Sequence, residues 1–342
     1  MSRLSTKVLS AAVFLAVCAL TPGVSLSQQP QPMNEIPLGG GSSSTTTSTM
    51  TDAEAVPVSD GETATSGTVS SIASAGPEAV AFDGTHVWVA TQFNNTVTKV
   101  RASDGAFAGT FTVGNRPVAL LYAGGSIWVA NLLSNNVMKL SKDTGAILGT
   151  YAVGTGPGGL AYDGTNVWVA NRNSNTVTKL KANNGSNLGS FAVGKRPIAL
   201  AYANNSLWVT NNFSNTVTRL SSAGAVLGTY AVGKGPFGVA VEGANIWVTN
   251  YFGKSLTKLR ASDGFNLGTF AVGDGAAGMA FDGANLWVVN NGDNTVMKVS
   301  PGDGGILAIY KTGGGPFAIA FDGARIWVPN FASNSVSTAA VN

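Results

Sequence analysis

Side chains able to do acid–base, nucleophilic or metal chemistry are scarce in this chain: one His, one Cys and 17 Asp and Glu among 342 residues. Acid–base catalysis wants a carboxylate paired with another or with an imidazole, and a zinc site wants three or four ligands at short spacing. Most of the acids have a plainer role. Glu35, Asp52, Glu54, Asp60 and Glu62 fall in a polar N-terminal stretch. Asp83, Asp163, Glu242, Asp282 and Asp322 recur in one set of turns, and Asp104, Asp143, Asp263 and Asp303 in a second. Asp-Gly pairs make turns because Asp bonds the backbone two residues on and Gly accepts positive φ. Only Glu78, Asp274 and Asp293 are left over, three scattered acids. His86 stands where several other copies of a repeat carry Asn, and reads as a variable turn residue. Gly154-Thr155-Gly156-Pro157-Gly158-Gly159 has a dinucleotide-binding spacing, but Pro157 and the strand after it deny phosphate a helix N-terminus. No catalytic residue, metal ligand or cofactor is assigned.

The N-terminus reads as an export signal. Arg3 and Lys7 precede an apolar run over residues 8–20, too short to span a membrane comfortably, and Pro22-Gly23 breaks it. Ser25-Leu26-Ser27 suits cleavage after residue 27, which would remove Cys18 and leave 18 basic against 17 acidic residues. The expected mature protein then has no thiol, hence no disulfide and no Cys-ligated zinc. A nearly neutral chain with 11 % charged residues also lacks the excess positive charge of a nucleic-acid binder. Residues 28–66, rich in Ser, Thr, Gly, Pro and Gln, read as a disordered tether.

From residue 67 to 342 the chain repeats. Tryptophans fall at 88, 128, 168, 208, 247, 287 and 327, spaced by 40 residues, and once by 39. Within the third copy, apolar runs at 159–162, 166–171, 176–180 and 188–193 are separated by Asp163-Gly164, Asn173-Ser174-Asn175 and Asn184-Gly185. Four short strands joined by hairpin turns in roughly 40 residues describe a propeller blade. The last copy has room for only one strand after Trp327, while Gly67-Thr68-Val69-Ser70-Ser71-Ile72 precedes the first. The expected fold is therefore all-β: a seven-bladed β-propeller of four-stranded antiparallel blades, closed by an N-terminal strand that completes the C-terminal blade.

The run Asn175-Thr176-Val177-Thr178-Lys179-Leu180, with Phe191-Ala192-Val193-Gly194 and Leu207-Trp208-Val209-Thr210-Asn211, resembles the YVTN-type propeller repeat, a relative of NHL repeats. Such propellers serve as binding platforms, surface-layer components and occasionally enzymes, so the resemblance implies a fold more than an activity. Its enzymatic relatives, virginiamycin B lyase-like propellers, imply histidines, a glutamate and magnesium, and no second histidine exists here to align with them.

Two patterns could bind a ligand. The loops between strands two and three and those between blades share one face around the channel. There stand Thr91 and a ring of Asn131, Asn171, Asn211, Asn250, Asn290 and Asn330, which could present amides or bond their own loops. Positions that vary between copies are freer to carry a site: Arg116, Arg172, Lys195, Arg196 and Lys234 gather on consecutive blades beside Phe213, Tyr251 and Phe252. By contrast, Lys99, Lys139, Lys179, Arg219, Lys258 and Lys298 repeat and are assigned to the scaffold, stems packed and charges in solvent.

The expected molecule is an exported monomer, periplasmic, cell-surface or extracellular, with no transmembrane segment after cleavage. It would bind a protein, peptide or glycan on the loop face, and no nucleic acid. The alternatives are a lyase or hydrolase acting at the central channel, and a purely structural envelope protein.

Overall fold

A four-stranded meander of about 40 residues can hide its apolar faces only against others of its kind. Seven copies do so in a ring in the computed structural model, which describes residues 30–37 and 76–341. Blade 3 is typical: Pro157–Tyr162 lines the channel, followed outward by Asn166–Asn171, Thr176–Lys181 and Asn187–Ala192, all antiparallel. The second strands are near-continuous apolar runs because both faces meet neighbouring blades, and all seven tryptophans are fully buried. The core is thus a set of layers between blades; one layer joins Trp128 and Val137 of blade 2 to Val167, Val169 and Leu180 of blade 3.

The turn acids anchor the tryptophans of these layers from within each blade. Asp163 accepts the Thr165 and Asn166 amides through Oδ1 and the Trp168 indole through Oδ2 at 2.8 Å. Asp83, Asp282 and Asp322 do the same for Trp88, Trp287 and Trp327, and Glu242 reaches Trp247 at 3.5 Å. Blades 2 and 4 carry Ala123 and Ala203 at this position, and the buried indoles of Trp128 and Trp208 have no partner. Burial pushes the Asp83, Asp163 and Asp282 carboxyls up, but the hydrogen bonds outweigh it and hold each below the usual carboxylate range.

The repeated cations belong to the scaffold, and five of the six tie their charges to carbonyls of the next blade. Lys99 Nζ lies 5.0 Å from the Trp88 ring centroid and donates to the Lys142 carbonyl, in the next blade's turn, at 2.6 Å. Lys139, Lys179, Arg219 and Lys258 repeat this stitch to the carbonyls of Ala182, Ser222, Ser262 and Pro301. Each charge satisfies turn carbonyls that would otherwise crowd at the blade interface.

An N-terminal strand does complete the last blade, but the strand in that slot is Asn34–Pro37. It pairs antiparallel with Ser335–Ala340, which pairs in turn with Arg325–Asn330. Residues 67–72, expected in the slot, lie outside the described residues. The preceding Gln31–Pro32 adds a fifth, parallel strand to blade 6, and Met33 between them is buried among Trp287, Ile326 and Val328. So a piece of the stretch read as tether joins the ring, because an edge strand needs few inward side chains: here Met33 and Ile36.

Candidate functional site

Loops between strands two and three follow one plan. An Asn in the left-handed region (Asn95, Asn135, Asn175, Asn215, Asn294, Asn334; φ 52–56°) accepts through its side chain the amide of the following interblade loop. The last of these bonds, Asn334 to the Gly76 amide at 2.9 Å, closes the ring. Blade 5 has Lys254 at this position, and its ammonium pairs with Asp274 at 2.9 Å. A Ser beside the Asn accepts a second loop amide in most blades; Asp293 takes that role in blade 6, bonding Asp274 N at 2.7 Å. Two of the three left-over acids are thereby loop architecture. Glu78 alone is not.

The asparagine ring is buried. Asn131, Asn171, Asn211, Asn250, Asn290 and Asn330 are fully covered, and their Nδ2 groups donate to side chains of the third strand, as Asn171 does to Thr176 and Thr178. Interblade glycines lie on top: a Cβ on Gly114, Gly154, Gly194, Gly233, Gly273 or Gly313 would stand 2.5–2.8 Å from the amide. The ring's amides are held inside the blades, bonding third-strand side chains (the Asn136 amide oxygen in blade 2, hydroxyls in the others) rather than loop backbone.

The two residues after each ring position divide the face into an inner and an outer circle. The outer circle is exposed: Phe93, Leu133, Phe213 and Phe252 are each 61–66 % accessible. Arg116, Lys195, Arg196 and Lys234 are exposed beside it, and among the described residues none of the four forms an ion pair. Arg196 stacks on Phe213 at 4.5 Å, so the expected proximity of basic and aromatic groups is present there.

The inner circle turns toward the channel and contains Gln92, Arg172, Asn212, Tyr251, Asn291 and Phe331. Gln92 accepts Arg116 Nε at 2.6 Å, Asn212 and Asn291 donate to the Pro236 and Pro316 carbonyls, and the Tyr251 hydroxyl donates to Asn291. Arg172 and Tyr251 therefore belong here rather than with the exposed cluster. Arg172 lies across the first strand of its own blade, bonding the Gly158 carbonyl at 3.1 Å. Gly158 makes this possible: a Cβ there would sit on Arg172 Nε. Below the circle is a cavity of about 200 Å³ lined by Glu78, Arg172, Ile198, Phe237 and Phe317, among others. Burial pushes the Glu78 carboxyl up, against the pull of Arg172 and Arg116. It pushes the Arg172 guanidinium down, against the pull of Glu78. His86 is remote from all this, at the other end of its strand, where its amide donates to Asp83.

Sequence reasoning left Glu78 unassigned. Its signal was positional: the equivalent residues in the other blades are Val118, Gly158, Ile198, Phe237, Ala277 and Phe317, so one carboxylate enters an apolar circle.

With this geometry, comparison with solved structures is informative. A streptogramin B lyase structure superposes with a TM-score of 0.69 at 20 % identity, over 78 % of this chain and 94 % of that one. The likeness is one of fold. The virginiamycin B lyase of Staphylococcus aureus gives 0.70 at 19 %, over 79 % and 96 %. The hydrazine synthase of Kuenenia stuttgartiensis gives 0.72 at 18 %, over 80 % and 98 %. The chain is thus a seven-bladed propeller distantly similar to virginiamycin B lyase-like propellers. No protein-family model matches the sequence, and neither does any curated protein.

Proposed function

We propose that this protein is an exported binding module whose partner, an acidic polypeptide with apolar side chains, docks on the loop face. The observation that carries this reading is the outer circle. Four large apolar side chains stand in solvent at one repeat position, interleaved with four cations that form no ion pair among the described residues. Exposed aromatics and arginines are the anchors of interfaces, and the basic surround matches a partner of opposite charge. A lyase is the weaker reading. The S. aureus lyase is catalytically inactive when one histidine becomes alanine, whereas the one histidine here lies at the blade end away from the channel mouth.

Retention on cell-envelope fractions and on an array of acidic peptides tests the proposal. Replacing Arg116, Lys195, Arg196 and Lys234 by Gln should weaken retention and flatten its salt dependence. Replacing Phe93, Phe213 and Phe252 by Ser should weaken it at every salt concentration. Retention unchanged in both variants would overturn the docking face.

A further inference from the structure

The mouth of the channel, inside the outer circle, has a chemistry of its own. Glu78 Oε2 and Arg172 Nε are both shut off from solvent and both lack a hydrogen-bond partner. They stand on blades 1 and 3 and line the same cavity, yet among the described residues no ion pair within 4.0 Å joins them. Opposite charges with buried, unpartnered atoms in one pocket are costly unless something bridges them.

The rest of the mouth is aromatic. Tyr251, Phe237, Phe317 and Phe331 form a continuous arc, with successive ring centroids 5.8, 6.2 and 6.3 Å apart. The arc covers the side of blades 5 to 7, while Glu78, Arg116 and Arg172 belong to blades 1 to 3. The pocket is therefore polar on one side and apolar on the other. Its volume, about 200 Å³, lies below the range of pockets for drug-sized ligands. Gly158 shows that the arrangement is built: its backbone does not need glycine for a positive φ, and only the absence of a Cβ leaves room for Arg172.

We propose that this cavity binds a free α-amino acid with an apolar side chain. The α-ammonium donates to Glu78 Oε2, the α-carboxylate accepts from Arg172 Nε with Arg116 at the rim, and the side chain lies against Phe237 and Phe317. Both orphaned groups gain a charge-assisted bond. A plain carboxylate would leave Glu78 unpaired, and a plain amine would leave Arg172 unpaired.

Titration calorimetry of the folded protein with L-leucine, N-acetyl-L-leucine, L-leucinamide and isovalerate tests this, with thermal melts as the check on folding. L-Leucine should bind saturably, and each analogue lacking one charge should bind about tenfold or more weakly. Glu78→Gln should weaken leucine by a similar factor. So should Gly158→Ala, which displaces Arg172 without touching either charge. No saturable binding of any apolar amino acid at millimolar concentration would mean a water-filled cavity and overturn the proposal. So would isovalerate binding as well as leucine, the mark of a simple anion site, or leucine binding indifferent to Glu78→Gln. None of these outcomes depends on whether a macromolecule docks on the outer circle.

Discussion

Gly185→Ala is a sharp test of how the blades interlock. Gly185 sits at φ 73° in the turn before the outer strand of blade 3, and a Cβ there would lie 2.0 Å from Cε1 of Tyr151 in blade 2. Tyr151 cannot retreat, because its other face stacks on Trp128 at 5.6 Å. Alanine in the left-handed region costs about 1–2 kcal/mol, and overpacking a fitted contact adds about 1–3 kcal/mol, so the total should be about 2–5 kcal/mol. Gly164→Ala isolates the backbone share: it too has a positive φ, 93°, but nothing lies within 4 Å of its new Cβ. Urea unfolding of both variants, each also in a Tyr151→Ala background, gives the numbers. Gly185→Ala should lose more stability than Gly164→Ala, and Tyr151→Ala should remove the excess. Equal losses, or an excess that survives without the ring, would refute the interlock.

Two further results are expected. Because Asp83, Asp163 and Asp282 titrate below the ordinary carboxylate range in the folded state, they stabilise it fully above the unfolded value near pH 4. That contribution is lost as pH falls through the lower folded values, so urea midpoints should drop below about pH 4 and less steeply in Asp163→Asn. Ala203→Glu should give the unpartnered Trp208 indole the acceptor that Glu242 gives Trp247, raising stability by about 1 kcal/mol in the same assay; a fall would show that the indole is better left alone.

The blade count was legible because each blade must bury one large ring at the same place, and tryptophan spacing records that demand directly. Loop geometry was legible for the same reason: an Asn that itself takes a positive φ recurs at one loop position in six blades. The closing segment was not. Residues 67–72 look more like a blade strand than Asn34-Glu35-Ile36-Pro37 does, but an edge strand contributes only a row of backbone bonds, one inward Ile36 and the Glu35 carboxylate that accepts Ser335 Oγ. The burial of the asparagine ring was equally hidden, since it depends on glycines some 17 residues upstream in each copy. Glu78 could be found by elimination and by its odd place among apolar equivalents, and its sharing of a cavity with Arg172 only in space, because a whole blade stands between them.

A latch made from Asn34–Pro37 meets its partner strand across 300 residues of chain, as the Glu35–Ser335 contact shows. Such a contact is among the most remote a chain of this size can make, and remote contacts form slowly because their loop must close first. During synthesis the sixth blade lacks its parallel edge until Ile306–Lys311 has emerged, and the seventh stays one strand short until Ser335–Ala340 has. The same short segment therefore finishes two blades, and it can finish the seventh only after some 300 further residues have followed it.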